Sequence, residues 1–161
     1  MAATGLDVFD KTLQTTNIWL DEMMEVLGPD RQVAWHSLSA VLRTLRDRLP
    51  LGLAAHLGSQ LPLLIRGVYY DQFEPEKLPV TTRSLDEFLE LINEEISNIR
   101  PVNVNDATRT TFQILSRHVD FGQMTKVRAA LPEEIRALWP ADFLEEAPRQ
   151  GSLRAAGARA R

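Results

Sequence analysis

The chain has 161 residues, 44% of them hydrophobic and 25% charged, which fits one globular domain able to bury roughly 70% of its unfolded surface. It contains no cysteine, which excludes disulfides, thiolate catalysis and cysteine-based zinc sites. The net charge of −4 is uneven: the last fourteen residues hold Arg149, Arg154, Arg159 and Arg161 and no acid, leaving 14 basic against 22 acidic residues, or −8, elsewhere. An acidic body argues against a nucleic-acid-binding face.

In chain order, "MAATGLDVFDKTLQ" carries acids early and lacks a basic segment followed by an apolar one, so it does not read as a secretory signal. Leu6, Phe9, Leu13, Leu20, Met23, Met24 and Leu27 recur at steps of three and four and predict an amphipathic helix from Leu6 to Leu27. "GPD" at 28–30 ends it, and Asp30 is placed to cap the next helix. There Ala34, Leu38, Val41, Leu42, Leu45 and Leu49 form the expected buried stripe, with Arg43, Arg46 and Asp47 expected on the surface. Pro50 ends this helix; a short one is expected over Leu51–Leu57, and Pro62 opens another at its first-turn position. The uncharged run from Leu49 to Ile65 contains Pro50, His56, Gln60 and Pro62, and it is shorter and more polar than the about 20 apolar residues of a membrane span.

Residues 71–83, "DQFEPEKLPVTTR", have two prolines and no period, and are read as the loop between two halves. Ser84 and Glu87 form a capping-box pattern before a helix striped by Phe88, Leu89, Leu91, Ile92, Ile96 and Ile99. "RPVNVND" breaks it, and Asn105 is the expected cap of a helix carrying Thr108, Phe112, Leu115 and Val119 on one side. Asp120 with Gln123 offers a further cap, and Pro132 opens a last helix with Glu133 and Glu134 in its first turn, where the helix dipole favours acids. The fold class is all-α.

The halves resemble each other. A shift of 70 aligns Leu42 with Phe112, Leu45 with Leu115, Leu61 with Leu131, Pro62 with Pro132, Ile65 with Ile135, Arg66 with Arg136 and Tyr69 with Trp139. A shift of 69 aligns Trp19, Leu20, Met23 and Leu27 with Phe88, Leu89, Ile92 and Ile96. The expected architecture is two pseudo-repeated lobes of about four helices, 5–70 and 84–140, packed into one bundle-like domain over 1–140. An Arg-rich extension over 141–161 is expected to be disordered beyond about 148.

"FDKTLQTTNIWLDEM", "AWHSLSAVLRTLRDRLP", "AAHLGSQLPLLIRGVYYDQFEP", "FLELINEEI" and "VRAALPEEIRALWP" resemble the bacterial domain-of-unknown-function 2267 family over about residues 5–140. The resemblance implies a small cytosolic all-helical protein and carries no catalytic or cofactor residues with it.

The residues add no catalytic constellation. His36, His56 and His118 stand alone, and Glu90 and Glu94, one turn apart, lack the Glu-x-x-His pattern of di-metal bundles. Ser59, Ser84 and Ser116 have no nucleophile-elbow context, and the glycines form no phosphate loop. No cofactor and no metal is expected. Five residues are the candidate contacts. Arg66 and Arg136 either cap helix-end carbonyls or grip an anionic ligand between the lobes. Tyr69, Tyr70 and Phe73 either seal the seam between lobes and anchor the loop or offer an aromatic patch to a partner.

The leading functional expectation is a non-enzymatic helical adaptor of the bacterial cytosol, with a protein partner or a homodimer and no membrane or nucleic acid. The Arg-rich tail is then free to touch an anionic surface. The alternative is a binding module for a small amphipathic or anionic ligand held between the lobes, and an enzyme of unknown class comes third. An exposed apolar patch of several hundred square ångströms favours the first, a closed cavity of about 300 Å³ or more the second.

Overall fold

The computed structural model describes residues 4–96, 98 and 101–144. Ile99 and the Arg-rich tail lie outside them. Among the described residues there are eight α-helices and no strand: α1 (Asp7–Leu27), α2 (Arg31–Arg48), α3 (Leu51–Gln60), α4 (Leu63–Tyr70), α5 (Leu85–Ile96), α6 (Val104–His118), α7 (Phe121–Ala130) and α8 (Glu133–Arg136). A single 3₁₀ turn, Pro75–Lys77, interrupts the connection between α4 and α5.

The boundaries follow from local chemistry. α1 stops at Gly28, whose φ of 102° suits a residue without a Cβ. Asp30 caps α2 by accepting from the amides of Gln32 and Val33. Ser84 Oγ accepts from Glu87 N at 3.1 Å, and Asp120 accepts from Gln123 N at 3.1 Å. The cap of α6 is Asn103 rather than Asn105: the helix begins at Val104, so the side chain three residues before Asp106 N meets it, at 3.0 Å. Asn105 lies inside the helix and accepts from Arg109 Nε instead. Pro50, Pro62 and Pro132 all occupy the cap position, one residue ahead of the first turn where Pro62 was expected. α3 runs on to Gln60, beyond the expected Leu57.

α2 and α6 pack on each other at the centre, with α1 and α5 each packed on both of them. Eleven of the eighteen residues of α2 are buried, including the whole expected stripe from Ala34 to Leu45. Several hydroxyls of these two helices turn onto their own backbone, while the buried Ser37 Oγ of α2 has no partner. Thr44, Thr108 and Thr111 donate to the carbonyls of Ala40, Val104 and Ala107, four residues back. One core cluster draws side chains from every helix, from Trp19 to Ile135, and continues to Phe143. No helix among the described residues is long and apolar enough to cross a membrane.

Local geometry recurs at the two Leu-Pro corners. Leu61 and Leu131 are both buried, and Pro62 and Pro132 share nearly the same backbone angles, φ −55°, ψ 149° and φ −57°, ψ 153°. Position by position, the burial over 61–70 repeats over 131–140 except at Val68 and Leu138. The corners differ in their surroundings: α4 packs on α1, α2 and α3, whereas α8 packs on α5.

α1 departs from expectation in one half. Leu20 and Met23 are buried, but Leu6, Phe9 and Leu13 are 51%, 47% and 42% exposed. Of the first nine residues of α1, Asp7–Thr15, none is buried, so this stretch overhangs the core. The tip of α4 meets this overhang at Thr12, whose Oγ1 accepts from Leu64 N at 3.2 Å. Periodicity reports which side of a helix is apolar; it does not report how far along the helix that side is covered.

Candidate functional site

The five residues singled out by sequence fall at the α3–α4 and α7–α8 corners. Arg66 Nη2 donates to the carbonyls of Ser59 and Leu61, at 3.0 and 2.9 Å, and so closes the C-terminal end of α3. Arg136, on α8, is half-buried, and its guanidinium makes no hydrogen bond or ion pair with the described residues. Tyr69 is fully buried; its hydroxyl donates to Ala54 O at 2.6 Å, and burial pushes its pKa well above the usual phenol range. Tyr70 packs edge-on against both Tyr69 and Phe73, at 5.0 and 5.5 Å between ring centroids. A Cβ on Gly58 would stand 2.3 Å from the Tyr70 hydroxyl, which explains a glycine in the middle of that turn of α3.

Two groups of charged residues escaped sequence reasoning. Arg46, expected on the surface, is 2% exposed. Its Nη1 donates to the carbonyls of Tyr69 and Asp71, both at 2.7 Å, and its Nε to Asp47 Oδ1 at 2.8 Å. The Phe73 ring lies 5.2 Å from its guanidinium carbon. One planar cation thus fastens the end of α4 and the start of the following loop to α2. The rest of the loop is tied to the same helix: Val80 N donates to Asp47 O at 2.9 Å, and Arg48 Nε bonds Thr82 O. Arg43, also largely buried, bridges Asp71 at 3.6 Å and Glu95 of α5 at 2.9 Å. Burial raises the pKa of Glu95, and Arg43 works against that rise. The sequence holds a weak trace of this network, since Arg46 lies one residue after Leu45 in the α2 stripe, at the margin of the apolar face.

The second group joins α1 to the end of α6. Glu22 accepts from Arg117 Nη1 at 2.6 Å and pairs with His118 Nε2 at 2.8 Å, and the His118 ring stacks on Trp19 at 5.5 Å. This contact holds α1 against α6 just below the overhang.

What remains open is apolar. Leu6, Val8, Phe9 and Leu13 on the overhang, with Leu63 and Leu64 on the tip of α4, are all exposed. A furrow of about 340 Å³ runs between the two elements, lined by Val8, Thr12, Thr15, Leu61, Pro62 and Leu63, and it opens to solvent. The two corners make the contrast plain. At the exposed positions after the proline, the second corner has Glu133 and Glu134, the first Leu63 and Leu64. Glu134 is used locally, accepting from Leu85 N at 2.7 Å at the start of α5. The leucines have no such internal role.

A family model described as an uncharacterized conserved protein (DUF2267) matches residues 16–138. The chain belongs to the DUF2267 family. No curated protein matches it. The matched span of this DUF2267 protein holds both Leu-Pro corners and all five expected contact residues, and it begins at Thr16, where the overhang ends. The opening segment "FDKTLQTT", which contributed to the resemblance, thus lies mostly ahead of the match.

Among the described residues of the DUF2267 chain, no three histidine, aspartate or glutamate side chains come together as a ligand set for a metal ion. This end consists of the α1 overhang, the leucine-bearing tip of α4 and the open furrow between them.

Proposed function

We propose that this DUF2267 protein is a non-enzymatic helical adaptor of the bacterial cytosol that acts through protein–protein contact. The observation that carries the reading is the open apolar face formed by the α1 overhang and the α4 tip. Leu6, Phe9 and Leu13 along α1, with Val8, Leu63 and Leu64 around the adjoining furrow, are each roughly half exposed and together leave on the order of 500 Å² of apolar surface at this end of the molecule. The furrow between α1 and α4 is open rather than closed, which suits a protein partner better than an enclosed small molecule. Arg66 supports the same choice, because both of its donated bonds close a helix end.

The test is site-specific photocrosslinking in the native host, with a photoreactive residue in place of Val8 and, as a control, of Glu90 on the exposed side of α5. The reading expects protein adducts from position 8 and none from position 90. Absence of any protein adduct at position 8 would overturn it.

A further inference from the structure

We infer that the α1 overhang is a hinged flap: the helix opens within residues 12–17, and the turns ahead of them swing off the tip of α4 and back. The inference goes beyond the adaptor reading and does not depend on what binds at this end.

Three observations converge on that stretch. First, the support of α1 changes there. None of residues 7–15 is buried, whereas Thr16, Trp19, Leu20 and Met23 are. The supported part is also tied by polar contacts: Asn17 Oδ1 accepts from Arg31 Nη1 at 2.8 Å, and Glu22 from Arg117 Nη1 at 2.6 Å. Among the described residues, the bond from Leu64 N to Thr12 Oγ1 is the one hydrogen bond joining the overhang to another helix.

Second, the helix is intrinsically weakest at the same place. Residues 12–17, "TLQTTN", include three threonines and an asparagine. Thr loses side-chain freedom in a helix and Asn competes for backbone bonds, so both favour helix less than the Leu, Glu and Met of "LDEMMEVL" that follow. Thr15 Oγ1 also donates to Lys11 O at 3.0 Å, four residues back, a bond that weakens and bends helices.

Third, the closed state leaves a group unpaired at the hinge. Thr16 Oγ1 is buried without a partner, whereas the hydroxyls of Thr44, Thr108 and Thr111 bond to their own backbone. A buried hydroxyl left unpaired is unfavourable, and opening of the helix here lets water reach it.

The flap forms one wall of the furrow, with Val8, Thr12 and Thr15 across from Leu61, Pro62 and Leu63. Closed, it keeps the furrow narrow and Leu61 buried; open, it bares the apolar floor. Apolar contact along the furrow favours closure, and the weak helix with its unpaired hydroxyl favours opening.

Native-state hydrogen exchange of the full chain, read amide by amide by NMR, tests this. A hinged flap gives the amides of residues 11–15 one common opening, with a step of about a hundredfold or more in exchange rate between them and residues 23–27. Thr12→Val keeps the side-chain shape and removes the acceptor of Leu64 N; it should speed exchange of the flap amides by about fivefold. Thr15→Ala, a better helix former, should slow it by about threefold. Neither variant should change residues 23–27, and because both side chains are only partly buried the fold is retained. Protection that rises evenly from residue 11 to residue 27 would reduce the flap to ordinary end fraying and overturn the inference. Equal protection along the whole helix, or variants that shift residues 23–27 in parallel with the flap, would overturn it as well. Crosslinking at position 8 judges the adaptor reading separately, so either can fail without the other.

Discussion

Arg46 is the residue whose removal should reveal most about how the first corner is held. Replacing it with Met keeps the length of the side chain and deletes every donor. The Tyr69 carbonyl, buried, then loses its 2.7 Å bond, and a buried acceptor left unpaired costs about 1–3 kcal/mol. The Asp71 carbonyl is partly exposed and recovers water, so its loss counts for little. The contact with Phe73 adds about 1 kcal/mol. Asp47, with its side chain 31% exposed, keeps most of its hydration, and release of a desolvated guanidinium offsets part of the total. After that offset the net expectation is a loss of about 1–3 kcal/mol, large against the 5–15 kcal/mol that is typical of a whole domain. Urea unfolding followed by circular dichroism should show a midpoint lowered by roughly 0.5–1.5 M, for a slope of about 2 kcal/mol per M. Arg46→Lys should rescue little, because one ammonium cannot reproduce a planar fork reaching two carbonyls and a carboxylate. A loss below about 1 kcal/mol for Arg46→Met would refute the reasoning, since it would mean that the loop after α4 is held by other contacts.

Leu61→Ala and Leu131→Ala, at equivalent buried positions before the two prolines, should each cost about 2–5 kcal/mol in denaturant unfolding; a near-neutral result at either would sink the idea that the two corners serve one packing role. Glu95 gives a dependence on pH. Its carboxyl is held above the usual range by burial, so the folded state binds this proton more tightly than the unfolded chain, and its contribution to stability falls as pH rises from the ordinary glutamate range through the folded value. Between about pH 4 and about pH 7, the stability of Glu95→Gln relative to the unsubstituted protein should therefore drift upward; a downward drift would show that the Arg43 ion pair, not burial, dominates the site.

Much of this protein is legible from its sequence, and for local reasons. The all-helical class, the ends of α1 at Gly28 and of α2 near Pro50, the caps at Asp30, Ser84 and Asp120, and the corners at Pro62 and Pro132 depend on residues within four positions of one another. Backbone sterics and side-chain-to-amide bonds act over that distance, so the chain announces them directly. The stripe of α2 was equally plain, because that helix is surrounded over its whole length and its apolar side is also its buried side.

Other features belong to the tertiary structure alone. Leu6, Phe9 and Leu13 carry the same periodic signal as Leu20 and Met23, yet only the latter are covered, since coverage depends on where neighbouring helices end. Arg46 reads as a surface cation, but the return of α4 and the loop to α2 brings the Tyr69 and Asp71 carbonyls, 23 and 25 residues away, onto its fork. In each case the deciding partner lies outside the window in which sequence periodicity and propensity act, and only chain packing determines whether an apolar stripe becomes core or an open face.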